Sequence, residues 1–324
     1  MNVISLFMRY QSDMKAVEQA LLDVFGQEKT TLKESATHLL KAGGKRLRPM
    51  LALLGARFGN RQSSDVLNIA VPLELIHMAT LVHDDVIDEA RTRRGQLTVM
   101  AKWDARTAMY TGDFIFAHAL RIACTIRNPQ LHQILSLSIV HMCRGEFAQM
   151  RRFFDLNQPL IEYWRRIKRK TALLIAVSCQ LGSMAAGADE VVSSLLYQIG
   201  YDIGMAFQIM DDLLDLTGTE KQIGKPPGND LKQGNLTLPV LLALRMPNLR
   251  ESLISGIAVI KETQSPSAIK QVIEIIKTSG TIETSREIAE RVIARALSRI
   301  AQLPAQKERD DLIHLANFVI NRSN

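Results

Sequence analysis

The chain has 324 residues, 47% of them hydrophobic and 23% charged, which is enough apolar material for a large core and too little Gly and Pro for a long disordered or collagen-like region. The net charge of +7 points to an anionic partner: nucleic acid, a membrane surface or a phosphorylated small molecule. Only 5% of residues are aromatic and there is no zinc-finger spacing or aromatic ribonucleoprotein motif, so nucleic acid is set aside.

The N-terminal MNVISLFMRY has neither a long apolar core nor a cleavage site, which reads against a signal peptide. Strand alternation is almost absent, and apolar residues recur at three and four, so the expected class is all-α. Breaks fall at Gly43-Gly44, Gly59-Asn60, Asn128-Pro129, Asn157 to Pro159, Gly218 to Gly234 and Pro247-Asn248. No composition shift or repeat divides the chain, so a single domain over 1–324 with ten or more helices is expected.

The first informative stretch is GGKRLRP. It places Lys45, Arg46 and Arg48 after two glycines and before Pro49, where backbone can approach a phosphate at a helix start. Next comes LVHDDVIDEA, with Asp84, Asp85 and Asp88, followed by RTRRG with Arg93 and Arg94. RRIKRKT then brings Lys170 and Thr171 ahead of Thr171 to Ala188, eighteen residues without a charge. That run has the length and basic flank of a membrane span, but its small and polar residues favour a buried helix. The second acidic box is QIMDDLLDLT, with Asp211, Asp212 and Asp215, and Lys225 and Lys232 lie in the Gly/Pro-rich segment after it. Near the C-terminus Ile288, Val292, Ala296 and Ile300 form an apolar stripe, with Arg291, Arg295 and Arg299 off it. Three widely spaced cysteines, Cys124, Cys143 and Cys179, read as buried free thiols of a reducing cytoplasm.

A helix advances 100° per residue, so Asp84 and Asp88 share one face, as do Asp211 and Asp215. His77 and Thr80 continue the first polar stripe, and Gly204 and Gln208 the second. Like charges clustered on apolar helices repel, and a bound cation removes that cost. Carboxylates without nearby thiols suit Mg²⁺, which keeps waters and bridges to diphosphate oxygens. One acidic box alone could be a solvated patch, and one basic run alone a solvated surface. Two boxes together with several phosphate-type basic loops point to diphosphate chemistry. A cation-stabilised departing diphosphate needs no Ser or Cys nucleophile, and no triad is present.

GGKRLRP, LVHDDVIDEARTRRG, KRKTALL and FQIMDDLLDLTGTEKQIGKPPGNDLKQGNLTLP, in that order and spacing, resemble the trans-polyprenyl diphosphate synthases over nearly the whole chain. RRIKRKTALLIAVSCQLG and QGNLTLPVL are most similar to the larger, catalytic subunit (component II) of bacterial two-component heptaprenyl diphosphate synthases. The resemblance implies one large helical bundle of the isoprenoid synthase type around a central apolar cavity. It implies that Asp84 and Asp88 hold two Mg²⁺ ions on an allylic diphosphate, with Asp211 holding a third and Asp215 supporting it. Arg93, Lys170 and Lys225 would bind the allylic diphosphate, and Gly44, Lys45, Arg48, His77 and Arg94 isopentenyl diphosphate. Thr171 and Gln208 would line the reacting centre.

In that family the residue five before the first box gates the product channel. Here it is Ala79, followed by Thr80, both small, which implies a long product of C30 to C40 with C35 preferred. The primer implied is farnesyl diphosphate, the end use a menaquinone side chain, and the compartment the cytoplasm with peripheral membrane contact. A small helical partner subunit (component I) is implied, with a single-chain homodimer as the alternative. Asn235 departs from the broader family, where Lys is common, and removes a cation near the isopentenyl site. The competing readings are a class I terpene cyclase, a non-catalytic regulatory subunit and an RNA- or membrane-binding helical protein. None of them needs both GGKRLRP and two intact acidic boxes.

Overall fold

A computed structural model describes residues 8–26, 30–60, 63–219 and 226–321. Its Cα packing separates two compact units. The first comprises 1–136, 174–197 and 303–314, and the second 137–173, 198–302 and 315–324.

The helices of the first unit are α1 (Gln11–Val24), α2 (Thr31–Lys41), α3 (Leu47–Ala56), α4 (Asp65–Ile87), the single turn α5 (Val99–Lys102) and α6 (Ala105–Ala123). Helix α4 is apolar on nearly every face because it is buried on nearly every face, from Val66 and Ile69 to Met78, Ala79 and Val82. It is long and apolar enough to cross a membrane, yet 67% of its most apolar window is buried inside the fold. Asp104 starts α6 by accepting from the Thr107 amide at 2.7 Å.

Between α4 and α5 lies a two-stranded antiparallel ribbon, β1 (Thr92–Arg93) and β2 (Gln96–Leu97). The sequence reading had no strand here. The reason is its turn: Arg94 (φ 52°) and Gly95 (φ 75°) both take left-handed backbone, as a two-residue hairpin turn requires, without the usual Asn-Gly signature.

Helix α7 (Pro129–Met150) leads to the second unit's α8 (Leu160–Ile167) and then to a π-helical turn at Lys168–Ala172. The uncharged run from Thr171 is a buried helix, as read, but a short one: α9 spans Leu173–Ala185. In the first unit it meets α3 at glycines. A Cβ on Gly182 would collide with the Ala52 carbonyl, and one on Gly55 with the Cys179 carbonyl.

Helix α10 (Glu190–Thr217) carries the second acidic box, and α11 (Asn229–Gln233), α12 (Leu238–Ala243), α13 (Pro247–Thr263), α14 (Pro266–Thr278) and α15 (Thr281–Ile300) follow. The last helix is α16 (Lys307–Asn321). The buried stripe of α15 runs through Ala289, Ile293, Ala296 and Ile300. Ile288 and Val292, expected on it, are half-buried at its edge, a shift of one residue that a 3.6-residue period allows. Arg295 and Arg299 do lie off it, and both pair with the fully buried Asp202 of α10, Arg295 through Nε and Nη2 at 2.7–3.1 Å. The cysteine expectation is corrected as well. All three are free thiols, but only Cys179 is buried, whereas Cys124 and Cys143 sit on outward faces of α6's end and α7.

Replacing Gly182 by Val should drive a branched side chain into the α3 backbone. Overpacking of this kind costs about 1–3 kcal/mol, so thermal denaturation should show Tm lowered by several degrees. An unchanged Tm would contradict the close approach of α3 and α9.

Candidate active site

In the first unit the acidic box closes α4. Asp84 and Asp88 are half-buried one turn apart, and Asp88 is the C-cap residue. The middle residue, Asp85, turns inward and is 2% exposed. It is gripped by Arg93 of β1, whose Nε and Nη2 donate at 2.7–3.0 Å. Burial pushes the Asp85 carboxyl above its usual range, and Arg93 opposes that shift. Arg93, assigned from sequence to a diphosphate, therefore also holds the box in place.

The loop before α3 and the hairpin come together. A Cβ on Gly44 would stand 2.6 Å from the Arg94 Nη1, so the guanidinium lies flat against a residue with no side chain. Arg48 and Arg94 both act on His77 of α4. Its pKa is held well below 6.5, first by burial and then by Arg48, Arg94, Arg93 and Arg46. The ring is thus neutral, able to donate one hydrogen bond among the cations. Burial lowers the Arg48 pKa to about 10. Its Nε is buried and has no hydrogen-bond partner among the described residues. Lys45 is exposed at the same loop. Ala79 is 2% exposed, and Thr80 spends its hydroxyl on the His77 carbonyl at 2.8 Å.

In the second unit the box lies on the last turns of α10. Asp211 is exposed, whereas Asp212 and Asp215 are buried. Asp212 Oδ2 accepts from the Tyr163 hydroxyl at 2.9 Å and Oδ1 from Gln208 Nε2 at 2.8 Å. Gln208 Oε1 in turn accepts from the Thr171 hydroxyl at 2.5 Å. Gly204 makes this chain possible. A Cβ there would lie 2.6 Å from the Ala172 Cα, so the π-helical turn presses directly on α10. Burial raises the Asp212 pKa to about 6, against Arg166, Gln208 and Tyr163, which favour the anion. Lys170, on the same π turn, pairs with Glu146 of α7 at 3.1 Å. Asp215 Oδ2 accepts from the Asp230 amide at 3.1 Å, which anchors the start of α11.

The basic segment after this box is described only in part. Lys225 lies outside the described residues, and Lys232 is exposed on α11. Asn235 is 8% exposed; its Oδ1 is buried without a hydrogen-bond partner among the described residues.

The sequence reading named Asp85 and Asp212 as box members without a role of their own and Arg46 as a phosphate-type cation rather than a buried ion-pair partner, and it missed Tyr163 and Glu146. Helical geometry could have flagged the two aspartates, because each sits 100° from the first residue of its box and 60° from the last, off the line that the outer two share. Nothing local marks Tyr163 or Glu146, whose partners are 49 and 24 residues away.

Among the described residues no three His, Cys, Asp or Glu side chains converge as a ready-made metal cage. The donor set nonetheless fits Mg²⁺, an oxygen-seeking ion that commonly uses one or two carboxylates and completes its shell with water and substrate phosphate. Asp84 and Asp88 in the first unit, and Asp211 in the second, each keep accessible surface.

The chain as a whole is similar to known proteins. A family model described as "Polyprenyl synthetase" matches residues 29–276. Component 2 of heptaprenyl diphosphate synthase from Geobacillus stearothermophilus is 47% identical over 322 residues, 99% of each chain. The solved heptaprenyl diphosphate synthase of Staphylococcus aureus superposes with a TM-score of 0.92 at 39% identity, covering 97% of this chain and 98% of that one. A polyprenyl synthase from Caulobacter crescentus, solved with calcium and isoprenyl diphosphate, gives 0.93 at 32% identity, covering 100% and 98%. The all-α chain with its acidic boxes and basic loops belongs to the polyprenyl synthetase family. It has the isoprenoid synthase fold and is a long-chain trans-prenyltransferase. The cyclase and non-catalytic readings give way to this membership.

Substituting Tyr163 by Phe should strip a donor from the buried Asp212. Removing one partner of a buried charged acceptor costs about 1.5–3 kcal/mol, readable as a lower Tm with the helical circular dichroism retained. An unaltered Tm would show that Asp212 does not depend on Tyr163.

Proposed function

We propose that this chain is the catalytic subunit of a two-component, Mg²⁺-dependent heptaprenyl diphosphate synthase. The whole chain acts as one synthase domain, extending farnesyl diphosphate with isopentenyl diphosphate to a C35 product for a menaquinone side chain. One observation carries the diphosphate chemistry: in each box the middle aspartate is turned inward onto a protein donor, while at least one outer carboxylate keeps accessible surface. Similarity over 99% of the chain to a component 2 protein supports the two-component assignment and a smaller partner subunit.

In this reading Asp84, Asp88 and Asp211 hold Mg²⁺ on the allylic diphosphate, with Asp215 behind them. Bound Mg²⁺ supplies electrostatic stabilisation of the departing diphosphate. Arg93, Lys170 and Lys225 add positive charge to the same leaving group. Arg93 engages Asp85 through Nε and Nη2, so its remaining N–H donors serve the substrate. Lys170 exchanges or shares Glu146, since an ammonium has three donors. Gly44, Lys45, Arg48, neutral His77 and Arg94 hold isopentenyl diphosphate. The Thr171–Gln208 pair lines the point where the allylic carbon meets the isopentenyl double bond. The small Ala79 and Thr80 leave room for the growing chain. The enzyme works in the cytoplasm, and contact with a membrane surface helps release so apolar a product.

The test is incubation of the purified chain with Mg²⁺, farnesyl diphosphate and labelled isopentenyl diphosphate, with and without a component 1 subunit, and sizing of the products. Mg²⁺-dependent C30 to C40 product is expected, and product from the chain alone would overturn the partner requirement. Ala79→Phe should shorten the product while incorporation continues. No incorporation under either condition would overturn the proposed activity.

A further inference from the structure

Helix α4 carries one charge in the middle of its apolar length, Glu74, one turn before His77. It is 3% exposed. An interior carboxylate is costly unless it has a partner. Its partner is Arg46, itself 6% exposed, which donates from Nη1 to Glu74 Oε1 at 3.0 Å. Arg46 also donates from Nε to Glu18 Oε1 at 2.6 Å and from Nη2 to the Leu40 carbonyl at 3.0 Å. To reach all three it adopts left-handed backbone, φ 46°, at the cap of α3. Such a conformation is disfavoured for a residue with a side chain and persists where surrounding contacts fix it.

Two atoms are left over. Glu74 Oε2 is buried and accepts no hydrogen bond among the described residues, and Arg48 Nε is buried and donates none. Glu74 acts on Arg48 and Arg94 through its charge alone. The carboxylate therefore attracts these guanidiniums without consuming their donors. By simple Coulomb repulsion a buried anion here would oppose diphosphate binding. Its placement makes sense if the greater need is to keep mutually repelling cations together when no substrate is present.

We propose that Glu74 is a positioning residue for isopentenyl diphosphate: it fixes Arg46 and gathers Arg48 and Arg94 beside His77 before substrate arrives. This rests on the assignment of Arg48, His77 and Arg94 to that substrate.

The test is steady-state kinetics on the active enzyme, with its partner subunit if one is required, comparing wild type with Glu74→Gln, Glu74→Asp and Arg48→Gln. Glu74→Gln keeps the shape and removes the charge. It should raise KM for isopentenyl diphosphate about tenfold and leave KM for the allylic diphosphate within about twofold. Glu74→Asp, which keeps the charge on a shorter stem, should recover part of that loss and also covers the case in which Glu74→Gln does not fold. An unchanged or lower KM in Glu74→Gln would overturn the proposal, because a plain electrostatic effect moves affinity upward. Equal increases for both substrates would overturn it too, by showing general damage. Arg48→Gln separates the two levels of the argument. If it leaves KM for isopentenyl diphosphate unchanged, the substrate assignment fails, and the positioning role falls with it.

Discussion

Two adjacent aspartates on an apolar helix repel each other, and the fold separates them by turning one inward onto its own donors. In the first unit Asp85 goes to the Arg93 fork, and in the second Asp212 goes to Tyr163 and Gln208. The inward residue fixes the helix end through charge-assisted hydrogen bonds that water does not screen. Asp84 and Asp88 are left half-buried, and Asp211 exposed. In the proposed function this is a division of labour: in each unit the inward aspartate would hold in place the outer carboxylates assigned to the metal.

The cationic loops obey the same rule with the sign reversed. Arg46 is sacrificed to Glu74, Glu18 and a carbonyl, while Arg48 keeps a buried donor unspent. His77, surrounded by guanidiniums, stays neutral. Backbone without side chains makes these approaches possible: Gly44 beneath Arg94, and Gly204 beneath the π-helical turn that delivers Lys170 and Thr171. The π turn breaks the α-helical register at Lys168–Ala172, the stretch that carries Lys170 and Thr171.

Helical class, the paired boxes and most break points were legible in the sequence because each depends on local spacing; the break read over Gly218 to Gly234 is interrupted by α11, and 220–225 lie outside the described residues. The apolar stripe of α15 was legible to within one residue, and the hairpin was not, since Arg94-Gly95 lacks the Asn or Asp that marks such turns. The outer aspartates and GGKRLRP could be named from their chemistry. Their supports could not, because Tyr163–Asp212 and Arg46–Glu74 are pairs that only tertiary packing brings together, across 49 and 28 residues. Likewise Cys124 and Cys143 sit in sequence that looks apolar, but exposure is decided by which face of a helix the fold covers.

In the proposed function, metal and diphosphate assemble jointly on half-open carboxylates rather than in a preformed cage. The most direct measurement is calorimetric titration of Mg²⁺ into the chain with and without an unreactive allylic diphosphate analogue. Joint assembly predicts weak Mg²⁺ binding alone and at least about tenfold tighter binding with the analogue, with the reciprocal gain when the order is reversed. Tight Mg²⁺ binding that the analogue does not change would contradict it.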